Sequence, residues 1–542
     1  MGHCYLNERL FMTSLSNTAI RLSTSQLKTW LHDGQEIALL DIREHGQYGE
    51  AHLFYAVNLP FSRLEIDAPR LVPRKATRVV VYDTADEGMA ERAAAALAQC
   101  GYDNVHILAG GAEAWKAAGH QLFAGVHVPS KTFGELAEIA FHTPHMSAQE
   151  LKRRQDAGEK LVVLDGRPFS EYRKMNIPGG ICCPNGELAL RSDLLIPDEE
   201  TTVVINCAGR TRSIIGAQTL INLGLPNPVY ALENGTQGWY LADQDLEHGS
   251  ERRYPDAVPA DALPGLQERA QRYAERFAVT EVSAQDLRQW QSDDSISTFL
   301  CDVRTADEFR AGTIAGAQHA PGGQLIQSTD LYVGVRNARV VVFDSEQVRA
   351  QVVAGWLSQM GWDVHVLADA AKLLTEQPAK PAPACQLPVL AEVPASQLAQ
   401  HAASGTVLLD VQPSMSYRKA HIAQAVWANR TLLEQSDILP QSPVLLLAPG
   451  AHEAALVAKT LTARGVEVIG ANTESPAAWK QAGLDVISTE DTPPDEQCID
   501  FLFFVHDRHH GNREAAIQYL TWETGLIAQL DEQERAAFRL PE

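Results

Sequence analysis

Short apolar runs alternate along this chain with longer segments in which apolar residues recur at helical spacing. The pattern is clearest where Val203, Val204 and Ile205 predict a buried strand. Apolar positions from Ile214 to Leu223 then predict a buried helix, which Ser213 opens and Gly224 ends. Strands that alternate with helices of this length favour a parallel sheet, because parallel strands need helical crossovers on the sheet faces.

The same pattern occurs four times along the chain. In each copy one strand ends in an aspartate, at Asp41, Asp165, Asp302 and Asp410. A second strand then ends at Asp83, Cys207, Asp344 and Ala448. The two positions are 42 residues apart in the first three copies and 38 in the fourth. Helix caps open the copies at Ser23, Ser147, Ser283 and, less regularly, Ser396. This regular spacing predicts repeated domains.

We therefore predict an α/β protein of four repeated domains. Each domain is expected to be a mostly parallel sheet with helices on both faces, and a helical tail follows the last one. The predicted domains cover 20–125, 143–250, 279–376 and 392–488. The remaining segments are a leader at 1–19, a connector at 126–142, a helical linker at 251–278, a Pro-rich linker at 377–391 and the C-terminal tail at 489–542.

The segments between the domains differ in kind. Phe133, Leu136 and Ile139 have helical spacing, which predicts that the connector at 126–142 packs against the domains. The Pro-rich linker is expected to be stiff and extended, so the two halves of the chain could move relative to each other. In the tail, the apolar run from Ile499 predicts packing on the body of the protein or on a second copy of the chain.

Composition narrows the class of function. The net charge of −23 argues against nucleic acid or an anionic membrane as partner. No apolar run approaches the roughly 18 residues of a membrane helix, and the N-terminus lacks a secretory pattern. Eight cysteines over this length form neither a disulfide framework nor a zinc spacing. A reducing, cytoplasmic location is therefore expected.

Cys207 is the candidate nucleophile of the chain. It lies in the short loop between the buried strand and the helix N-terminus. Free backbone N–H groups and the positive end of the helix dipole stabilise an anion there. A thiol in such surroundings has a pKa below the ordinary value of about 8.5. Since Asp83, Asp344 and Ala448 occupy the equivalent positions, one active domain is predicted. An inert core cysteine is the alternative interpretation.

The residues around Cys207 predict an anionic substrate. Arg210 and Arg212 place two positive charges near the sulfur on an otherwise acidic protein. Arg191 is a further candidate anion contact, although an exposed surface charge explains it equally well. The predicted substrate-binding residues are Ala208, Gly209, Arg210, Thr211, Arg212, Ser213 and Arg191. The loop needs neither a metal nor an organic cofactor for this chemistry.

Four features of the second copy, in this order, resemble a rhodanese domain. They are Asp165-Gly166-Arg167, Ile177-Pro178-Gly179, the loop from Cys207 to Arg212 and the segment from Leu232 to Trp239. The resemblance implies that Cys207 carries sulfane sulfur as a persulfide. The loop has six residues, as in sulfur-transferring rhodaneses, whereas phosphatases that resemble this fold use one residue more. Tandem pairs of such units also resemble tandem-domain sulfurtransferases.

We therefore predict a sulfurtransferase of the thiosulfate type. The expected donor is a small anion such as thiosulfate, and the expected acceptor is cyanide or a thiol. A second copy of the chain is a candidate partner. Two other classes stay open: a sulfur-relay or partner-binding scaffold, and a cysteine-dependent phosphatase or arsenate reductase.

Minor candidates elsewhere in the chain have simpler alternatives. Cys182 and Cys183 suit a core strand better than a resolving-thiol role. His452 is expected at the surface. Metal sites at Asp83, Asp86 and Glu87, or at His506, His509 and His510, are weaker alternatives, and we predict no metal.

Overall fold

Four parallel sheets follow one another along the chain in the structure, a computed structural model that describes residues 19–375, 383, 385–436, 439–506 and 512–541, and a small antiparallel pair of strands accompanies the fourth. The first three sheets have five parallel strands each, in the spatial order first, fifth, fourth, second and third. The α/β prediction is confirmed, with repeated units and helices at the C-terminal end. The boundaries between the domains stay predictions.

The first unit and the connector have the following elements. The strands are β1 (Ile20–Leu22), β2 (Ala38–Asp41), β3 (Val57–Asn58), β4 (Val79–Tyr82) and β5 (Val105–Leu108). The helices are α1 (Thr24–Leu31), α2 (His45–Glu50), α3 (Leu64–Leu71), α4 (Met89–Gln99) and α5 (Gly111–Ala117), followed by the connector helix α6 (Val128–Phe141).

The second unit repeats this order. Its strands are β6 (His145–Met146), β7 (Leu161–Asp165), β8 (Ile181–Cys182), β9 (Thr202–Asn206) and β10 (Val229–Leu232). Its helices are α7 (Ala148–Asp156), α8 (Phe169–Lys174), α9 (Asn185–Arg191), α10 (Thr211–Asn222) and α11 (Gly235–Leu241), and the linker helix α12 (Leu263–Arg276) follows.

The third unit ends differently. Its strands are β11 (Thr280–Val282), β12 (Thr298–Asp302), β13 (Gln318–His319), β14 (Arg339–Phe343) and β15 (Asp363–Leu367). Its helices are α13 (Ala284–Gln291), α14 (Ala306–Ala311), α15 (Gly322–Gln327) and α16 (Arg349–Gln359). Where the first two units have their last α-helix, this unit has a short 3₁₀ turn at Ala370–Leu373.

The fourth unit keeps the strand order but loses its edge strand. Its strands are β16 (Val407–Asp410), β17 (His421–Ile422), β18 (Val426–Trp427), β19 (Val444–Leu447), β20 (Val468–Asn472) and β21 (Val486–Ile487). Its helices are α17 (Ala395–Ala403), α18 (Ser414–Lys419), α19 (Arg430–Gln435), α20 (Ala451–Ala463) and α21 (Pro476–Gln481). A single bridge from Glu392 to Ala471 stands where the other units have their first strand. The tail contains α22 (Phe503–His506), α23 (Arg513–Gly525) and α24 (Glu532–Ala536).

An aspartate-arginine pair explains why each unit keeps the same first turn. Arg167 Nε and Nη2 donate to the two carboxylate oxygens of Asp165 at 2.8 and 2.7 Å, and both side chains are buried. The same bidentate pair recurs in units one and three, between Arg43 and Asp41 and between Arg304 and Asp302. In the fourth unit Gln412 takes the place of the arginine. The aspartate that ends the strand in the sequence repeat is therefore one half of a buried ion pair in the first three units.

The sheet of the second unit is covered on both faces, as predicted. Val203 and Ile205 pack with helix α10 on one face, through Ile214. Val204 points to the other face and packs with Trp239. Alternate residues of one strand thus enter two separate cores, which is why the run is apolar throughout.

The units pack through equivalent elements. Helix α9 of unit two lies against α15 of unit three, where the backbones of Gly186 and Gly323 come close together. Unit one meets unit four through the Glu65 and Arg430 ion pair at 2.6 Å. Units one and three are also in contact, through backbone hydrogen bonds.

The segments outside the units pack on them. The connector is helical, as the spacing predicts, and Phe133 is buried, but Ile139 is 60% exposed. Tail residues Leu502 and Leu526 are fully buried against the first unit and its surroundings. Among the described residues, no helix is long and apolar enough to cross a membrane. Residues 1–18 of the leader, and residues 377–382 and 384 of the Pro-rich linker, lie outside the described residues.

Candidate active site

Cys207 directly follows strand β9, and helix α10 begins four residues later at Thr211. The sequence predicted that the helix would begin at Ser213. It begins earlier because the carbonyl of Arg210 accepts the first helical hydrogen bond, from Ile214 N–H at 3.1 Å. Gly224, with a φ of +78°, ends the helix as predicted. The earlier start brings the helix N-terminus closer along the chain to the thiol.

The loop turns its carbonyl groups away from its centre. The Cys207 carbonyl accepts from Thr236 N–H at 2.7 Å and from Thr236 Oγ1 at 2.9 Å. The Ala208 carbonyl accepts from Gln237 N–H at 3.1 Å. Among the described residues, the backbone N–H groups from Ala208 to Ser213 have no hydrogen-bond partner. They form a cradle that suits a bound anion.

Two left-handed residues hold this orientation. Asn234 and Gly235 have φ values of +59° and +52°. A β-carbon on Gly235 would overlap the Cys207 carbonyl oxygen. Only glycine allows helix α11 to come close enough to bind the loop carbonyls.

A buried polar network fixes the end of the strand before the thiol. Asn206 Nδ2 donates to Asp165 Oδ2 at 2.7 Å and to Thr236 Oγ1 at 3.2 Å. Thr236 in turn binds the Cys207 carbonyl, and Arg167 holds Asp165. The turn that recurs in the units is thereby coupled to the position of Cys207.

The thiol itself is enclosed. Cys207 is 2% exposed, and its Sγ donates to Ser213 Oγ at 3.6 Å. Ser213 Oγ donates to the Arg210 carbonyl at 2.8 Å. The sulfur thus lies at the N-terminus of α10, next to a cradle of unpaired N–H groups that suits an anion.

The two loop arginines are engaged with carboxylates. Arg210 Nε donates to Glu135 at 2.8 Å, and its Nη2 donates to Glu138 on the same connector helix. Arg212 makes a bidentate pair with Glu171, with both contacts at 2.9 Å. The predicted surplus of positive charge is thus wrong, because each guanidinium has an acidic partner. The backbone cradle therefore provides the main attraction for an anion.

Comparison with known proteins agrees with this geometry. A rhodanese-like domain model matches residues 23–118, 147–242 and 283–372, which together are more than half of the chain. The chain belongs to the rhodanese family.

Individual relatives cover the chain to different extents. The solved thiosulfate sulfurtransferase from Pseudomonas aeruginosa is 40% identical, with a TM-score of 0.89, and the match covers 96% of this chain and 99% of that one. The candidate sulfur carrier protein YrkF of Bacillus subtilis is 29% identical over 135 residues, which are 23% of this chain and 71% of that protein. The transcriptional regulator Rv0324 of Mycobacterium tuberculosis is 34% identical over 101 residues, or 19% of this chain and 43% of that protein.

The other rhodanese units fill the equivalent cradle with a side chain. Asp344 Oδ2 accepts from the N–H groups of Val348 and Arg349 at 3.1 and 3.0 Å. In the first unit, Asp83 accepts from the N–H groups of Asp86 and Ala90 at 3.0 and 3.1 Å. Both carboxylates occupy the position of Cys207 in the repeat. The loop of this fold therefore binds an anion even where the nucleophile is missing.

Arg191 lies in a different environment from the one predicted. It is 5% exposed, so it is not a surface charge. Its Nε donates to Glu187 at 2.6 Å, and its Nη1 donates to the carbonyls of Pro255 and Asp256 at 2.7 Å. Within the described part of the chain, no hydrogen bond or ion pair joins it to the Cys207 loop. It holds the segment after the second rhodanese unit.

The remaining candidates that fall within the described residues carry no site. Cys182 and Cys183 are fully buried, and burial raises the pKa of both thiols, which makes them unreactive. His452 is exposed, as expected. No group of three or more potential metal ligands comes together among the described residues. The side chain of His506 and all of His509 and His510 lie outside those residues.

Two elements of the site escaped the sequence prediction. The connector helix α6 contributes Lys131, Glu135 and Glu138, spaced four and three residues apart on one helix face. That charged stripe was a readable signal. The tail helix α23 contributes Tyr519 and Glu523, and nothing in the sequence connects them with residues three hundred positions earlier.

Proposed function

We propose that Cys207 carries sulfane sulfur as a persulfide between a thiosulfate-like donor and a thiophilic acceptor. The chain is a rhodanese-type sulfurtransferase by family and by its full-length similarity to a thiosulfate sulfurtransferase. One observation supports Cys207 as its nucleophile: a cradle of unpaired N–H groups surrounds this cysteine. No other cysteine of the described chain lies in such a cradle.

The reaction divides into two displacements. In the first, the Cys207 thiolate attacks the outer sulfur of thiosulfate; a new S–S bond forms, the donor S–S bond breaks, and sulfite leaves with the bonding electron pair. In the second, cyanide attacks the outer sulfur and thiocyanate leaves, which restores the thiolate. With a thiol acceptor, the product is that thiol's persulfide. The N–H groups from Ala208 to Ser213 stabilise the negative charge on the terminal sulfur.

Mass spectrometry tests the proposal directly. Incubation with thiosulfate should add the mass of one sulfur atom to the peptide that contains Cys207, and cyanide should then remove it. Absence of the adduct on Cys207, with transfer still occurring, would contradict the assignment.

The alternative function is a sulfur relay without turnover of small molecules. The enclosed thiol and the three units without a nucleophile favour this alternative over a phosphatase. In a relay, the adduct would form from a protein persulfide and not from thiosulfate. The cytoplasmic location and the homodimer stay predictions.

Glu135 should make donor capture depend on pH. Burial raises the pKa of its carboxyl to about 7, although Arg210 opposes the shift. Above that pH the carboxylate adds a negative charge beside the loop, so the KM for thiosulfate should rise between about pH 6 and pH 8. In Glu135→Gln, the increase in KM between these pH values should be smaller by a factor of about three. Steady-state kinetics measure it, with the surface variant Glu159→Gln as control. An unchanged profile in Glu135→Gln would contradict the prediction.

A cysteine placed in the third unit should not create a second transfer site. In Cys207→Ser/Asp344→Cys, the new thiol would meet a loop whose Arg349 is fully buried and bonded to Glu187, Glu308 and Glu346. In addition, Glu346 stands where the active loop has Gly209, so its carboxylate adds negative charge beside the cradle and repels an anionic donor. We expect no sulfur adduct on the new cysteine after incubation with thiosulfate. A cyanide-labile adduct there would show that the cradle alone suffices.

A further inference from the structure

The tail helix α23 lies directly against the Cys207 loop, although the two are 312 residues apart at their contact. Thr211 Oγ1 donates to Glu523 Oε1 at 2.9 Å. Lys131 Nζ, from the connector helix, donates to the same oxygen at 3.0 Å. Glu523 is fully buried, so this ion pair joins the loop, the connector and the tail away from solvent.

No gap separates the helix from the loop. A β-carbon built on Gly209 would lie 2.8 Å from Glu523 Oε2 and 3.1 Å from Tyr519 Cε1. Tyr519 is 3% exposed. The glycine at the third loop position is therefore where the tail helix comes closest to the backbone of the cradle.

The helix is anchored on both sides of this contact. Trp522 Nε1 donates to the Ala124 carbonyl at 2.8 Å, and its ring covers Gly125 so closely that a β-carbon there would overlap it. Leu526 is fully buried with Phe123. At the other end, Arg513 pairs with Asp243 at 3.0 Å. The helix is thus a fixed wall of the site.

The opposite side of the loop is equally tight. A β-carbon on Gly134 of helix α6 would lie 2.6 Å from the Thr211 side chain. With α6 on one side and α23 on the other, Cys207 is left 2% exposed. An acceptor must approach the terminal sulfur of a persulfide in line with its S–S bond, so the walls determine how large that acceptor can be.

We propose that Tyr519 is a specificity-determining residue that restricts the acceptor to small nucleophiles. The inference rests on the proposed sulfurtransferase function. A two-atom anion such as cyanide fits the small space that these walls leave at the terminal sulfur, whereas a tripeptide thiol such as glutathione would meet the aromatic ring. Gly209 and the ring of Tyr519 together set how much room an acceptor has on this side of the loop.

Tyr519→Ala in the full-length protein tests this inference. We expect the ratio of kcat/KM for glutathione to kcat/KM for cyanide to rise by about tenfold or more. Tyr519→Phe keeps the ring and should keep the wild-type ratio. Ile517→Ala changes the exposed face of the same helix, where Ile517 is 51% exposed, and should also keep it.

Alkylation of Cys207 provides a readout that does not depend on catalysis. N-ethylmaleimide is bulkier than iodoacetamide, so its rate at Cys207, followed on the cysteine-containing peptide, should rise more in Tyr519→Ala. Unchanged ratios in both assays would overturn the inference. If no variant transferred sulfur, the proposed function would fail, yet alkylation would still decide whether Tyr519 is a wall. If Tyr519→Ala did not fold, Tyr519→Leu would be measured in its place.

Discussion

Replacing Cys207 by serine should abolish sulfur transfer from thiosulfate. A serine oxygen cannot hold sulfane sulfur, and at neutral pH its hydroxyl stays protonated, so the first displacement has no nucleophile. We expect a loss of at least about a thousandfold, or ~4 kcal/mol in the barrier, in a thiocyanate assay. The fold should persist, because the loop carbonyls stay bound to Thr236 and Gln237.

The control for this experiment is the double variant Cys182→Ala/Cys183→Ala. Both thiols are fully buried in the second unit. Activity should stay within about tenfold of the wild type. Substantial sulfur transfer by Cys207→Ser, or loss of transfer in the double variant, would indicate that a cysteine other than Cys207 is the nucleophile.

The local structure of the site could be predicted because it depends on neighbouring residues. The strand at Val203 to Ile205, the loop cysteine and the glycine that ends the helix all follow one another in sequence. Their apolar periodicity and turn chemistry act over a few residues. The boundary of α10 was two residues off, because the first helical hydrogen bond depends on the conformation of Arg210.

The electrostatic prediction failed for a different reason. Arg210 and Arg212 are visible in the sequence, but their partners Glu135, Glu138 and Glu171 come from other elements. A count of charges within the loop therefore predicted a cationic pocket. Side chains that pack against the loop from a distance decide the field there, and the sequence alone does not pair them.

The fourth unit has the strand order of the other three, although the family model does not match its sequence. The rhodanese model matches three ranges that end before it. Its central strands nevertheless have the order β18, β16, β19 and β20, which corresponds to the order in the other units without the first edge strand. Gln412 keeps two of the three hydrogen bonds that the arginine of the other units donates to the aspartate, but with a neutral side chain. The repeat at 38 residues was thus a correct sign of a shared fold.

The ion pair between the first and fourth units should be a major source of stability. Arg430 donates to both oxygens of Glu65 at 2.6 and 2.9 Å, and Lys459 lies 3.3 Å from the same carboxylate. Glu65 is fully buried and Arg430 is 4% exposed. Burial alone would raise the pKa of Glu65, but Arg430 more than offsets this and holds the pKa below its ordinary value.

Glu65→Gln should therefore lower the free energy of unfolding by about 3–5 kcal/mol, because it leaves the buried Arg430 without a compensating charge. The midpoint of the first transition in urea measures the effect. A carboxyl with a lowered pKa stabilises the fold above its unfolded pKa, and this contribution is lost as the pH falls through the folded pKa. The difference between wild type and variant should thus shrink below pH 4.5, the ordinary value for this carboxyl.

The matched control is Glu268→Gln. Glu268 also pairs with an arginine, Arg272, at 2.6 Å, but the side chains of the arginine and the glutamate are 58% and 73% exposed. Solvent screening limits such a pair to about 1 kcal/mol or less. If the two variants shifted the urea midpoint equally, the interface between units one and four would depend on its apolar contacts and not on the buried charges.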